Sequence, residues 1–167
     1  MTLHRAPGFA SRPHLVVLAH GLCMHAGQWQ AGGHDHGREV AQALGATPIY
    51  VNYNTGRHIG TNGIALAAAL EELVAGWEVP VERLTLIGHS MGGLVARSAV
   101  DQACRQGMDW PRVLRDMVFI GTPHHGAPLE QGGNWLHRGL GVSPYLAPFT
   151  RLSGLRSEGI TDLRDGN

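Results

Sequence analysis

The chain has 167 residues, 43% of them hydrophobic and 16% charged, with 13 basic and 13 acidic side chains. That length fits one domain around one modest core. The balanced charge leaves no electrostatic footprint for nucleic acid or an anionic membrane surface, and no apolar run approaches the roughly 18 residues of an integral membrane segment. Every basic residue is an arginine, which reads as a compositional habit and not as a phosphate-binding device.

The opening MTLHRAPGFASRPH has no continuous apolar stretch of the secretory kind, so a cytoplasmic location is the expectation. Residues 14–21, HLVVLAHG, form a short β-branched run closed by glycine, the pattern of a buried strand. In HDHGREVAQALGA, Asp35 is placed to cap a short helix that carries Val40 and Leu44 on one side and stops at Gly45. TPIYVNYNTG, residues 47–56, is a second strand.

A longer helix follows in NGIALAAALEELVAGW, with Ile64, Ala67, Ala68, Leu70, Leu73 and Val74 at helical spacing and a cap expected near Thr61 or Asn62. VERLTLIGHS, MGGLVARSAVDQACRQG and VLRDMVFIGTP then read as strand, helix and strand. Strand and helix alternate, and the strands are apolar throughout. The expected fold is therefore α/β, a doubly wound, mainly parallel sheet with helices on both faces.

One domain over residues 1–167 is expected, with a core at 14–123 and a cap or lid at 124–167, where Pro and Gly abound and Trp135, Leu136, Leu140, Tyr145 and Phe149 are the scattered apolar candidates for a pocket lining. Cys23 and Cys104 lack the spacing of a disulfide framework or a zinc site and read as small buried hydrophobes.

The chemistry concentrates at IGHSMGG. Gly88, His89, Ser90, Met91 and Gly92 fit the Gly-x-Ser-x-Gly elbow, in which a serine sits on a tight strand-to-helix turn and side chains at the glycine positions would collide with the neighbouring strand and helix. Such a turn lifts the Ser90 hydroxyl out of the sheet and aims the Met91 amide, at a helix N-terminus, into the same space. The exit of the first strand at His20 and Gly21 supplies a second candidate donor, the Leu22 amide, if that strand lies beside the elbow strand. His89 is expected to pack beside the elbow and not to serve as the base.

These motifs, with GTPHHGAP at 121–128 and the stretches HDHG, YNTGRHI, GNW and GITDLR, resemble the α/β-hydrolase superfamily, in particular bacterial lipase and esterase-like members related to the GPI-inositol-deacylase group. The resemblance implies a Ser-His-acid triad acting on carboxylic esters of small molecules or lipids, and no metal or organic cofactor.

The family order places an acid and then a histidine after the elbow, beyond further strands. The chain is accordingly expected to be a fragment whose core is incomplete at the C-terminal side, weakly active or inactive alone. His124 and His125 are placed to support the site, while Glu130, Asp162 and Asp165 are acids by position only. His34, Asp35 and His36 invite a metal reading, which the capping turn explains more simply. Acyl transfer or amide hydrolysis on the same elbow, and a catalytically dead binding module, are the rival readings. Oligomeric state is not encoded in any pattern found.

Overall fold

The computed structural model describes residues 1–124. Its sheet contains β1 (Thr2–Arg5), β2 (His14–Ala19), β5 (Thr47–Asn52), β6 (Arg83–His89) and β7 (Leu114–Ile120) in the spatial order β1-β5-β2-β6-β7. Only β1 runs antiparallel to its neighbour; the other pairings are parallel. A small hairpin, β3 (Gln30–Ala31) and β4 (His34–Asp35), turns through Gly32 and Gly33, both at positive φ (59° and 81°). Two successive left-handed residues are what a two-residue hairpin requires.

The pleat of β2 shows why the fold is doubly wound. Leu15, Val17 and Ala19 face α2 (Ile59–Ala75) and α3 (Met91–Gln106), where they join Leu66, Leu70, Val95 and Ala99 in the larger core cluster. Val16 and Leu18 point the opposite way, toward α1 (His36–Ala43), and join Ala41, Ala46 and Tyr50. Strands covered on both faces read as continuous apolar runs, and β2 is buried from Leu15 to Ala19.

Connectivity places the site. α1 carries the chain from β2 outward to β5 on one face, whereas α2 returns it past β2 to β6 on the other, and α3 continues to β7. The loops leaving β2 and β6 therefore depart to opposite faces, which opens a crevice between their carboxyl ends, the usual ligand position in such sheets.

Several local expectations shift. Asp35 caps α1 by accepting from the Arg38 amide at 3.0 Å, and Gly45 ends the helix at φ 61°, as the sequence implied. α2 begins at Ile59, before the expected cap. Asn62 lies inside the helix, 4% exposed, and donates from Nδ2 to the carbonyls of Asn54 (2.9 Å) and Arg57 (3.4 Å), so it ties the preceding loop to the helix.

Both cysteines are exposed, contrary to the buried reading. Cys23 stands on a tight turn at φ 53°, and Cys104 lies on the outer side of α3 between the buried Ala103 and the exposed Arg105. β7 is the outermost strand among the described residues on its side, and Val118, Phe119 and Ile120 are exposed there. No helix among them is long and apolar enough to cross a membrane.

The far end of the α2–α3 pair is closed by Trp110, fully buried at the start of a 3-10 turn (Trp110–Val113). The Glu71 carboxylate on α2 accepts from the amides of Asp109 and Trp110, the latter at 3.0 Å. Glu71→Ala leaves those donors without a protein partner and is expected to lower stability by about 1–2 kcal/mol. Urea unfolding should show a lower midpoint with an unchanged slope.

Candidate active site

Ser90 follows β6 directly and precedes α3, at φ 52° and ψ −122°. A left-handed φ at a non-glycine residue carries strain of about 1–3 kcal/mol and persists only where the surroundings dictate it. Here they do so through backbone packing. A Cβ on Gly88 would lie 2.5 Å from the Gly93 nitrogen, and one on Gly92 would lie 2.5 Å from the His20 carbonyl oxygen and 2.8 Å from the Ala19 carbonyl carbon. Backbone meets backbone at both places, so no side-chain adjustment relieves the contact. The Ser90 amide donates to the Ile120 carbonyl at 2.8 Å, which carries the β6–β7 pairing one step into the turn.

The strand order sets the segments that carry the two predicted amides side by side. β2 pairs with β6 along its length, ending at Ala19 opposite Gly88. The loop after β2 thus emerges beside the elbow: a Cβ on Gly21 would sit 3.2 Å from Ser90 Cβ and 3.0 Å from His89 Nδ1. Among the described residues neither the Leu22 nor the Met91 amide donates to a protein acceptor. Met91 is the first residue of α3, so its N–H lacks an intrahelical partner by construction.

His20 is 2% exposed and sits directly behind this loop. Its Nδ1 donates to the Gly21 carbonyl at 2.9 Å, and its ring stacks on Tyr53 with centroids 4.4 Å apart. Nε2 is buried without a partner. Burial holds the His20 pKa below the ordinary imidazole value, against the opposing effect of the Gly21 carbonyl. His89, packed beside the elbow, is likewise lowered by burial.

His124 is committed elsewhere: Arg97 donates to its Nδ1 at 2.9 Å, and the ring stands edge-on to Phe119. A ring that accepts at Nδ1 carries its proton on Nε2 and offers no lone pair to a serine. His125, the acids Glu130, Asp162 and Asp165, and the apolar candidates Trp135, Leu136, Leu140, Tyr145 and Phe149 lie outside the described residues. His34 and His36 stack edge-on beside the Asp35 cap. A hollow of about 140 Å³ lined by Asp35, Arg38 and Tyr50 contains none of the elbow residues; its Asp35 carboxylate already accepts from Tyr50, Arg38 and Gln30.

Sequence reasoning missed the residues that hold the Leu22 loop, Asn52, Tyr53 and Thr55. They stand in NYNTG, residues 52–56, which the sequence pattern assigns to the end of the second strand.

A mainly parallel sheet with helices on both faces and a strained serine after a central strand is the architecture of the α/β hydrolases. The chain belongs to the family of the PGAP1-like alpha/beta domain, whose model matches residues 14–140. It is 30% identical over 135 residues to Esterase PIR7B of Oryza sativa subsp. japonica, a match covering 73% of this chain and 45% of that protein.

Its fold is similar to that of the lipase BlEst2 of Bacillus licheniformis in its propeptide form (TM-score 0.68, 20% identity, 99% of this chain and 33% of that one). It is also similar to a lipase-esterase related protein of Clostridium acetobutylicum (TM-score 0.56, 13% identity, 99% of this chain and 70% of that one). The chain spans less than half the length of the curated relative it matches.

The strain at Ser90 predicts that Ser90→Gly is more stable than Ser90→Ala by about 1 kcal/mol, since glycine accepts this φ while alanine does not. Thermal unfolding of the two variants should show that order.

The histidines predict an acid effect. The unfolded chain takes up a proton near the ordinary pKa of about 6.5 that buried His20 and half-buried His89 resist. Stability is therefore complete above that value and declines as the pH falls through it. Urea midpoints at about pH 7.5 and about pH 5.5 should differ in this direction, and His20→Asn should reduce the difference.

Proposed function

We propose that the chain carries the nucleophile and oxyanion elements of a serine ester hydrolase. The observation that carries this reading is the left-handed Ser90, φ 52°, at the crevice between β2 and β6, with the Leu22 loop against it. Strain held by packing on a polar residue at a ligand-binding crevice is the signature of a functional position. The family and the esterase and lipase names of the relatives support ester chemistry.

In the proposed reaction the Ser90 oxygen attacks the acyl carbon of a carboxylic ester. The developing oxyanion is held by the amides of Leu22 and Met91, the second strengthened by the α3 dipole. The alcohol leaves, and water then releases the acid from the acyl-serine. Short acyl esters and lipid esters are the proposed substrates.

The proton must go to a base. Among the described histidines, His20 is turned to the Gly21 carbonyl and His124 to Arg97. The base and its orienting acid are accordingly assigned to residues after 124, in the order serine, acid, histidine. Oxyanion donors and binding without that pair leave a residual enhancement of roughly 10³ to 10⁴ over water.

A fluorophosphonate probe is expected to modify Ser90 and to abolish hydrolysis of short-chain nitrophenyl esters, with both responses lost in Ser90→Ala. Labelling that persists in that variant would remove Ser90 from the reaction.

A further inference from the structure

The two proposed oxyanion donors are held in different ways. Met91 is the first residue of a helix of 16 residues, so its amide is oriented by the helix itself. Leu22 lies in a loop outside any ladder, and Cys23 after it is at φ 53°. Something else must fix that peptide.

β5 is the strand beside β2 on the side away from the elbow, and Val51 pairs with Ala19 at the end of their shared register. The segments after these strands therefore leave the sheet side by side. Three side chains of residues 52–55 reach across. The Tyr53 hydroxyl donates to the His20 carbonyl at 2.5 Å, Thr55 Oγ1 accepts from the Cys23 amide at 3.1 Å, and Asn52 Oδ1 accepts from the Ala26 amide at 2.8 Å.

Within the loop, His20 Nδ1 and the Met24 amide both donate to the Gly21 carbonyl, at 2.9 Å and 3.3 Å. In a trans peptide the N–H points opposite the C=O. Fixing the Gly21 carbonyl thereby fixes the Leu22 N–H, and Tyr53 and Thr55 hold the peptides on either side.

We infer that Tyr53 and Thr55 are positioning residues of the oxyanion site, holding the Leu22 amide in register with the Met91 amide without touching the substrate. This rests on the reading of Ser90 as the nucleophile of an ester hydrolase. The role suits their chemistry. Burial pushes the Tyr53 hydroxyl well above its ordinary pKa, so it stays protonated and donates across the working range. The Tyr53 ring, stacked on His20, also buttresses the imidazole that holds Gly21.

An oxyanion donor acts over a narrow range of distance, and misplacement by about 1 Å costs up to 10²-fold in rate. Loss of the Tyr53 hydroxyl relaxes the loop without deleting a donor. Tyr53→Phe should lower kcat about tenfold, with KM for a nitrophenyl butyrate ester within about twofold of the parent. Thr55→Val should lower kcat severalfold, and Thr55→Ser, which keeps the oxygen, should restore most of it.

A short alkyl boronic acid, which becomes a tetrahedral anion on serine, should lose affinity in the same proportion as kcat falls. A merely structural role would not produce that match. The measurement uses the protein as encoded, with Ser90→Ala alongside.

Retention of kcat within twofold in both Tyr53→Phe and Thr55→Val, or a fall in kcat with unchanged boronate affinity, overturns the inference while leaving Ser90 intact. If Tyr53→Phe does not fold, the Thr55 pair decides the question in the same terms. A parent protein whose ester turnover and fluorophosphonate labelling are both indifferent to Ser90→Ala overturns both readings.

Discussion

The constraint on which the site depends is the contact between the end of β2 and the first turn of α3. The carbonyls of Ala19 and His20 press against the Cα of Gly92, and the backbone at residues 92–93 presses against Gly88. Interiors packed at crystal-like density transmit such contacts with little slack. The Ser90 corner and the end of β2 at Ala19 and His20 thus belong to one junction, set by backbone packing and strand pairing. The Leu22 peptide beyond it depends on side-chain hydrogen bonds.

Such a junction is strained, and the strain is offset nearby. The cost at Ser90 is about 1–3 kcal/mol. Leu84 and Leu86 just before it, and Met91 and Val95 just after it, are essentially fully buried. Each buried aliphatic side chain of that size contributes about 1.5–3 kcal/mol. The elbow is anchored on both sides by buried residues of the larger core, so relaxing Ser90 would require moving either β6 or α3. That is a larger loss than the strain it would relieve.

The sequence made some of this legible and hid the rest for physical reasons. The elbow was readable because its requirement is local: glycines at 88 and 92 are demanded by contacts within a few residues or at a predictable crossing. The central strands were readable because burial on both faces leaves apolar runs, as from Leu15 to Ala19. β1 left no such trace, since Thr2, His4 and Arg5 are exposed and only Leu3 packs against the core.

The N-terminus of α2 was misplaced because Asn62, a residue type that favours caps, instead holds the preceding loop from inside the helix. Cys23 was misread because its exposure follows from a turn that only tertiary contacts impose. The hydrogen bond from Tyr53 to His20 joins residues 33 apart, and nothing in the periodicity of either segment announces it.

The asymmetry between the two proposed donors has a structural logic. A helix N-terminus supplies one oriented amide at no further cost in sequence, because its position follows from the helix that the core already requires. A second amide on the facing strand has no such support, since its loop must leave the sheet to open the crevice. Holding it takes side-chain hydrogen bonds from a third strand, and these come from the one neighbour free to give them. β6, on the other side of β2, is already occupied by the elbow. β5 ends at the same level as β2, and residues 52–55 lie directly alongside the loop. The strand order β5-β2-β6 thus sets Ser90, the proposed nucleophile, on one flank of β2 and the support for its proposed partner amide on the other.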